Sequence, residues 1–458
     1  MKTHPASPRA GGIAAARSRW PLTGLLTGLL AVAACSDPAP TPDPAPSPSP
    51  AAATYPAAVA TSWLTLALRL VRTTPPAAAS TFGRPFAYAG VAGYEAAVPG
   101  MAGYRSLAGQ LNGLAGLPTP DPAQPYNWAL SANAALAASN RSLFANASAA
   151  NLAALDSLEA ANRVAYQGSL GAEAAARSVA FGQRVAAAVG AWASADGHAN
   201  ATPYTAPAGP GLWVPTPPQF GPAVFPHWGS NRPLVAGSGA GADPGPPLAY
   251  DTAPGSPFYS MAAEVLAVAQ ARTPEQTAIA LFWNDVPNGR SFTPPGHWVS
   301  ILGQVLSREN PGLDRALFAQ AKLGICLHDA LVSSMQTKFT YNVLRPVTYV
   351  RATLGQPAWL PLIPTPAFPE YSANHAALSA AAAEALTEVF GPDYAFIDQS
   401  YVPFGVAARS YASFEQAAGE AGLSRLYGGI HYRASVEKGL VQGKKVALNV
   451  DAQVRFRQ

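Results

Sequence analysis

Cysteine and charged side chains are both scarce in this sequence. The 458 residues include only two cysteines, Cys35 and Cys326, so an intramolecular disulfide is not expected. Cys326 lies in an apolar segment and is expected to be a small buried hydrophobic residue. Charged residues make up 12% of the chain, the net charge is +4, and no block of Lys and Arg is present. We therefore do not expect a nucleic-acid partner, because such binding needs cations concentrated along the phosphate backbone.

Metal-binding spacings and strand patterns are also missing. None of the seven histidines forms a His-x-x-x-His pair, and acidic residues do not cluster, so a zinc or calcium site is not indicated. Alternation of apolar and polar residues, which is typical of half-buried strands, is nearly absent. Hydrophobic residues instead make up 49% of the chain and recur at steps of three and four positions. This pattern predicts an all-α fold.

The first 35 residues have the three parts of a secretory signal. Arg9, Arg17 and Arg19 precede the apolar run PLTGLLTGLLAVAA, which ends in small residues before Cys35. This junction resembles the cleavage site of bacterial lipoproteins, which implies lipidation of Cys35. A plain signal peptide and a transmembrane anchor are the alternatives, although the run is shorter than the ~20 residues that span a bilayer. We expect an exported lipoprotein of the cell envelope, facing the periplasm or the surface, or else a secreted protein. Membrane contact is expected only through a lipid anchor.

Composition divides the rest of the chain into three parts. Residues 36–54 are rich in Pro, Ser and Ala and predict a disordered tether. Residues 55–254 predict an N-terminal helical half whose last part, from residue 198, is a long loop rich in Pro and Gly. Structureless segments of that length are usually functional, so we expect this loop to cover the helical body and line a substrate mouth. Residues 255–458 predict a C-terminal helical half that carries the chemistry.

Five side chains in the C-terminal half form a candidate oxyanion site. His375 lies where a Pro-rich loop meets a long Ala-rich run, which predicts a helix N-terminus. Free N–H groups and the helix dipole favour an anion there. Lys338 and Arg345 lie seven positions apart and are predicted to point from one face of a single helix. Arg425 and His431 flank a Gly-Gly pair that lets the backbone approach a ligand closely.

Each of these residues, taken alone, also has a structural explanation. Lys338 and Arg345 could form a solvated basic face, although the residues around them are mostly apolar. His375 and His431 could be capping or core histidines, and Arg425 could be a surface charge. The functional hypothesis depends on their conjunction, which combines three cations, two imidazoles and one helix N-terminus.

That conjunction resembles the phosphatidic acid phosphatase type 2 and vanadium-dependent haloperoxidase superfamily. Its order is Lys, six residues, Arg-Pro; then His at a helix start; then Arg, five residues, His. The similarity covers roughly residues 255–450, including three strings typical of the bacterial haloperoxidase branch: TPPGHW at 293–298, FPEY at 368–371 and GGIHYR at 428–433. It implies an all-α helical bundle of the haloperoxidase and acid phosphatase type, with long Pro- and Gly-rich loops.

The resemblance also implies a role for each residue of the site. Lys338, Arg345 and Arg425 would bind the equatorial oxygens of vanadate or phosphate, which suit the planar Arg fork. His375 would be the acid–base residue near the apical oxygen. His431 would bond vanadium in a haloperoxidase, or attack phosphorus in a phosphatase that needs no cofactor. Lys338 would also polarise bound peroxide.

Two positions depart from the family pattern. The family usually has Ser-Gly before the first histidine, whereas this chain has Ala373 and Asn374. The Asn374 N–H can still donate, and Ser372 or the Asn374 amide could substitute for the missing hydroxyl, whose loss would weaken oxyanion binding by ~1–3 kcal/mol. The phosphatase pattern also has Asp four residues after the second histidine. This chain has Ser435 there, and Glu437 is the nearest acid.

Three other polar residues are assigned outside the catalytic set. His297 in PPGHW and His328 are expected to be structural histidines. Asp285 in FWNDVPNG is expected to line the mouth of the site.

Three functions therefore remain open. The first is a vanadate-dependent haloperoxidase, with hydrogen peroxide, halide and a small organic molecule as its partners. The second is a metal-independent acid phosphatase that cleaves a phosphate ester through a phosphohistidine at His431. The third is a non-catalytic lipoprotein that retains the fold, as the departures before His375 and at Ser435 would allow.

Overall fold

Alanine-rich apolar segments form thirteen α-helices in the part of the chain that the structure describes. The computed structural model describes residues 49–74, 83–168, 170–286 and 289–458. The helices, in chain order, are α1 (Ala58–Thr73), α2 (Gly83–Glu95), α3 (Trp128–Leu143), α4 (Ala149–Tyr166), α5 (Gly171–Ser194), α6 (Pro257–Gln270), α7 (Pro274–Phe282), α8 (Pro294–Glu309), α9 (Leu313–Tyr341), α10 (Pro346–Thr353), α11 (Asn374–Phe390), α12 (Phe414–Tyr427) and α13 (Arg433–Gln453).

The all-α prediction is confirmed. Helices, including the short 3-10 helices, account for 57% of the described residues, and the only sheet among these residues has two short strands. These are β1 (Phe396–Asp398) and β2 (Arg409–Tyr411), which pair antiparallel with Ile397 opposite Ser410. The described residues belong to one compact unit. None of their helices combines the length and the hydropathy needed to span a bilayer.

The N-terminal predictions lie mostly outside the described residues. This applies to the signal segment 1–35, to Cys35 and to most of the tether 36–54. The last residues of that tether, Ala52–Thr54, form a short 3-10 helix with Ala52 buried. The division of the remaining chain at residue 254 stays a prediction.

Several helices begin where the sequence places a capping side chain. Ser256 and Thr293 each accept a hydrogen bond from the backbone N–H three residues later, and a proline follows each of them in the first turn of α6 and α8. Thr273 and Gln276 form a reciprocal capping box at the start of α7. These contacts satisfy N–H groups that a helix start leaves unpaired, and they fix where α6, α7 and α8 begin.

Helix α9 is the buried centre of the core and packs against α2, α8, α11 and α13. Cys326 is buried on it, as expected. Small residues allow these helices to approach closely. A Cβ on Gly324 of α9 would lie 2.7 Å from Ala87 Cα, and one on Gly443 of α13 would lie 1.8 Å from the Ala377 carbonyl oxygen of α11. Larger residues at both glycines would therefore push α2 and α13 away from their neighbours.

The loop of residues 198–256 runs over the junction between α9 and α10. Trp213 N–H donates to the Asn342 carbonyl oxygen at 2.7 Å, and Leu344 N–H donates to the Gly211 carbonyl oxygen at 3.0 Å. Further along, Tyr371 Oη donates to the Gly245 carbonyl oxygen at 3.0 Å. The loop thus packs against the segments that carry Lys338, Arg345 and Glu370, which agrees with its predicted position over the helical body.

Candidate active site

The junction between α9 and α10 positions the first two cations. Lys338 lies in the last turn of α9, which ends at Tyr341 because Asn342 adopts a left-handed conformation with φ of 49°. Asparagine tolerates that conformation better than most residues. Arg345 lies beyond this break as the N-cap of α10. The prediction that Lys338 and Arg345 point from one face of a single helix is therefore wrong, although both reach the same site.

Lys338 is fully buried and donates to three backbone carbonyl oxygens. Its Nζ lies 3.1 Å from the Pro369 oxygen and 2.8 Å from the Glu370 oxygen, and it also donates to the Ser372 oxygen. Because an ammonium group has three N–H donors, all of them are directed at this loop. Lys338 therefore fixes the segment that carries Glu370. Burial and the charge of Arg345 lower the pKa of Lys338 well below its usual value, while Glu370 opposes the shift.

Arg345 connects the same loop to His431. Its Nε donates to the Phe368 carbonyl oxygen at 2.9 Å, and its Nη1 donates to the Ile430 carbonyl oxygen at 3.0 Å. Nη1 also lies 3.1 Å from His431 Nε2. No described atom accepts a hydrogen bond from Nη2, although it is buried. Burial lowers the pKa of Arg345 to about 10, so its guanidinium stays charged at neutral pH.

His431 lies between a carboxylate and a guanidinium. Its Nδ1 is 2.7 Å from Glu370 Oε1, and Arg345 Nη1 can only donate toward Nε2, so the neutral ring carries its hydrogen on Nδ1. Nε2 then presents its lone pair toward Arg345 Nη1. Burial lowers the pKa of His431 well below its usual value, and the charges of Arg345 and Lys338 lower it further. The neutral tautomer with a free lone pair at Nε2 is the form of histidine that binds a metal centre or acts as a nucleophile.

Glu370 is the functional residue that sequence reasoning missed. Its Oε1 accepts from His431 and, at 3.0 Å, from Tyr432 N–H, and its Oε2 accepts from Ser435 Oγ at 2.6 Å. Ser435 stands where the phosphatase pattern has Asp, and it helps to hold the carboxylate that replaces that Asp. Glu437 is the acid nearest to Ser435 in the sequence, but the carboxylate that contacts His431 is that of Glu370. The FPEY string contained Glu370, but no local rule pairs it with His431.

Helix α11 begins at Asn374 and places His375 in its first turn, at the helix N-terminus where the sequence predicted it. The first N–H groups of a helix have no intrahelical partner, so those of Asn374 and His375 are available to an anion. The Asn374 amide donates to Met335 Sδ at 3.2 Å, and its Oδ1 is buried without a partner among the described atoms. The Ser372 hydroxyl donates to Gln442 Oε1 instead. Ser372 therefore does not occupy the role of the family's serine.

Arg425 enters from the last turn of α12. Its Nη1 donates to the Trp283 carbonyl oxygen at 2.9 Å, whereas its buried Nε contacts no described acceptor. Burial lowers the pKa of Arg425 to about 9, and the Asp285 carboxylate partly offsets that shift. Burial has the largest effect on the pKa of His431, and four neighbouring groups lower it further: Arg345, Lys338, Arg425 and His375. The five predicted side chains therefore lie around one site.

The site contains hydrogen-bond donors that no described atom uses. Arg345 Nη2 and Arg425 Nε are buried N–H groups without a described acceptor. Unpaired buried donors of charged groups are costly, so they indicate a ligand that accepts hydrogen bonds. Lys338, Arg345, Arg425 and His431 are all at most 2% exposed, whereas the His375 side chain is 12% exposed. His375 is therefore the most exposed of the five side chains.

A carboxylate cluster, defined here as Asp285, His297 and Asp398, lies behind His375. Asp285 Oδ2 is 3.4 Å from His375 Nε2, and the other oxygen of Asp285 is 2.9 Å from His297 Nδ1. His297 Nε2 is 2.7 Å from Asp398 Oδ2. All three residues are buried. Asp285 therefore does not line an open mouth, and His297 is connected to the site through Asp285.

His328 takes no part in this arrangement. Its Nε2 lies 3.4 Å from the Arg232 carbonyl oxygen, and its ring packs edge-on against Tyr88. Burial lowers the pKa of His328 to about 4. This environment agrees with the structural role expected for it. Across the described ranges, no group of three or more His, Cys, Asp or Glu side chains is arranged to hold a metal cation.

Comparisons with known proteins identify relatives of the fold. Residues 318–457, which contain all five predicted side chains, match the family described as VCPO second helical-bundle domain. Among curated proteins, none matches the chain at a significant level. The fold is similar to the crystal structure of a bacterial vanadium-dependent iodoperoxidase, with 33% sequence identity and a TM-score of 0.80. That match covers 88% of this chain and 98% of the iodoperoxidase chain.

Two structures of bacterial vanadium-dependent chloroperoxidase share the fold at lower similarity. The holo form has a TM-score of 0.60 at 14% identity and covers 84% of this chain and 95% of its own. The apo form has the same TM-score and identity, with coverage of 83% and 96%. At this identity the likeness extends to the fold alone.

Proposed function

Because the chain belongs to the vanadium-dependent haloperoxidase and phosphatidic acid phosphatase type 2 superfamily, we propose that it is a vanadate-dependent haloperoxidase that oxidises halide with hydrogen peroxide. The observation that carries the proposal is the His431 side chain. Its Nε2 lone pair faces Arg345, and Glu370 fixes the opposite nitrogen as a donor. A single neutral nitrogen among buried cations suits a vanadium oxyanion better than it suits a bare metal cation.

The residues present fit vanadate. His431 Nε2 would be its protein ligand, and the unpaired Arg345 Nη2 and Arg425 Nε would donate to its oxygens. The first N–H groups of α11 add dipole-oriented donors. When bound, vanadate would supply the Lewis-acid centre at which peroxide is activated toward halide.

The chain's own residues then have separate tasks. Glu370 keeps the hydrogen on His431 Nδ1 and so keeps Nε2 available as a ligand. Lys338 holds the loop that carries Glu370 through its three carbonyl contacts. It could contact an oxyanion directly only by exchanging one of these contacts, so direct oxygen binding and peroxide polarisation by Lys338 stay predictions.

His375 would handle the proton that the reaction consumes. Hydrogen peroxide, a halide ion and one proton give hypohalous acid and water, so the halide is oxidised, the peroxide is reduced and a proton must be delivered. His375 has the greatest exposure of the five residues and lies beside Asp285. Burial and Arg425 lower the pKa of His375 to about 4, so it is neutral at pH 7 and able to accept a proton from peroxide.

A metal-independent phosphatase is the second candidate, and one contact favours it. The Glu370–His431 pair gives His431 the carboxylate orientation that a histidine nucleophile needs, although the family's Asp is absent. His375 would then protonate the leaving alcohol. The absence of that Asp from the sequence therefore does not argue against phosphoryl transfer.

The experiment that separates these functions uses the full chain with and without orthovanadate. We expect oxidation of iodide by peroxide only after vanadate loading, with bromide and chloride tested in parallel. Iodide comes first because the structure with 33% identity is that of an iodoperoxidase. Cleavage of a phosphate ester that vanadate inhibits would support the phosphatase instead. Neither activity under either condition would support a non-catalytic protein and overturn the proposal.

A further inference from the structure

His297 is held between two carboxylates in a buried environment. Its Nδ1 lies 2.9 Å from Asp285 Oδ1 and its Nε2 lies 2.7 Å from Asp398 Oδ2. Ionised carboxylates only accept hydrogen bonds, so both ring nitrogens must donate, and the ring is an imidazolium. Although burial opposes it, the charges of Asp285 and Asp398 raise the pKa of His297 to about 10.

Other contacts fix the orientation of this cluster. The His297 ring stacks on Trp283 with centroids 4.3 Å apart, and Tyr401 Oη donates to Asp285 Oδ1 at 2.5 Å. On the far side, Ser400 N–H donates to Asp398 Oδ1 at 2.9 Å. Neither carboxylate can rotate without losing these partners. The contacts of the cluster therefore fix the orientation of both carboxylates as well as balancing the charge of His297.

One oxygen of the cluster faces the site. Asp285 Oδ2 lies 3.4 Å from His375 Nε2. Neither of these two atoms has another hydrogen-bond partner among the described residues. Arg425 also lies near this pair. The charge of Asp285 raises the pKa of Arg425, and the charge of Arg425 lowers the pKa of His375. The proton affinity of His375 thus depends on whether Asp285 is ionised and on which way its carboxylate points.

We propose that His297 and Asp398 are positioning residues for His375, which keep Asp285 ionised with Oδ2 facing His375 Nε2 and thereby control proton uptake by His375. The inference rests on the proposed acid–base role of His375 and deepens it. The pair acts through Asp285 and does not contact the oxyanion site itself.

The direction of the effect follows from the charges that face each group. Asp285, Asp398 and the Tyr401 hydroxyl surround His297, and Arg425 faces Asp285 from α12. His297 is one of the cations that lower the pKa of His375. Replacing it with neutral Gln removes that small contribution, but it also removes the cation that keeps Asp285 ionised. Because Asp285 raises the pKa of His375 more than His297 lowers it, the pKa of His375 falls. Replacing Asp398 with Asn removes a carboxylate from His297, so the pKa of His297 falls.

The test is nitrogen NMR of the full chain with ¹⁵N-labelled histidine, without vanadate or peroxide. One ring should keep both N–H groups up to about pH 9, and its signal should be absent from His297→Gln. In His297→Gln the titration midpoint of His375, assigned with His375→Gln, should fall by about one pH unit, whereas a rise would mean that His297 acts by direct repulsion and not through Asp285. The control is His198→Gln, which removes a half-exposed histidine bound to Asp196 and should leave both signals unchanged.

Two results would overturn the inference. One is a His297 ring that is neutral at pH 7, and the other is a His375 midpoint that does not fall in His297→Gln. If that variant does not fold, Asp398→Asn serves instead, and the midpoint of His297 should then fall by at least about one unit. These titrations do not depend on catalysis, so their result can be interpreted even if the protein is not a haloperoxidase. In an active enzyme, the pH profile of kcat should shift with the His375 midpoint, which a purely structural role would not cause.

Discussion

The two sides of the site place buried histidines in opposite electrostatic surroundings. On one side, His431 lies among Arg345, Lys338 and Arg425, with Glu370 as its carboxylate partner. On the other side, His297 lies between two carboxylates. Burial and neighbouring cations lower the pKa of the first histidine, whereas the carboxylates raise the pKa of the second.

The difference shows which side requires a ligand. In the carboxylate cluster nearly every polar atom has a partner, and the charges compensate one another within the protein. The cation-rich side has buried guanidinium N–H groups on Arg345 and Arg425 that no described residue accepts. These unpaired donors are available to an anion. The first side is therefore the one that we propose binds an oxyanion, and the second is the one that we propose sets the proton chemistry of His375.

Among the substitutions that test the difference between the two sides, removal of His431 should cause the largest loss of activity. We expect His431→Ala to reduce vanadate-dependent iodide oxidation by at least about 100-fold, because the variant loses the imidazole Nε2 that we propose as the vanadium ligand. Steady-state assays over a range of vanadate concentrations measure the loss. The control His198→Ala should keep full activity, and unchanged turnover of His431→Ala would remove His431 from the mechanism.

Neutralising Glu370 should have the next largest effect. Glu370→Gln keeps the side-chain size but weakens the hold on His431 Nδ1, so we expect vanadate affinity to fall by about 10- to 100-fold. Equilibrium titration with vanadate measures the change. The matched control is Glu264→Gln, which removes a half-exposed ion pair with Arg433 and should change affinity little. Equal affinities of the two variants would mean that Glu370 does not orient His431.

Replacing His297 should change stability only in one pH range. The folded state keeps the His297 proton up to about pH 10, whereas an unfolded histidine releases it near 6.5. The stabilisation is therefore complete below pH 6.5 and is lost as pH rises through 10. We expect the difference in unfolding free energy between wild type and His297→Gln to shrink by on the order of a few kcal/mol from pH 6.5 to 10. Denaturant titrations measure it, and a constant difference would mean that His297 is neutral in the folded protein.

Truncating Asn374 should have the smallest effect. If its backbone N–H is the donor to the oxyanion, Asn374→Ala retains that donor, and the Kd for vanadate should rise by less than about threefold. Calorimetric titration resolves such a change. A rise of about tenfold or more would instead show that the Asn374 amide takes the place of the family's serine hydroxyl.

Sequence patterns predicted the parts of the fold and site that depend on local order. Three- and four-residue periodicity predicted the helices, and the change from a Pro-rich loop to an Ala-rich run predicted the start of α11 beside His375. The shared helical face of Lys338 and Arg345 was wrong because the left-handed Asn342 ends α9 between them. Both side chains still converge, since their contacts to the Phe368–Ser372 loop come from tertiary structure.

Contacts between distant segments could not be predicted in this way. Glu370 and His431 are separated by 61 positions, and His297 and Asp398 by 101. No periodicity or capping rule acts over such distances. The strings FPEY and PPGHW contained two of these residues, but only the packing of α8, α11 and α13 shows what they bind.

The central claim is that the side chains around His431 bind one tetrahedral oxyanion. Isothermal titration of orthovanadate into the full chain tests it most directly. The account predicts one vanadate per chain, displaced by phosphate and lost in Arg345→Ala. No binding, or equal binding by the wild type and Arg345→Ala, would contradict it.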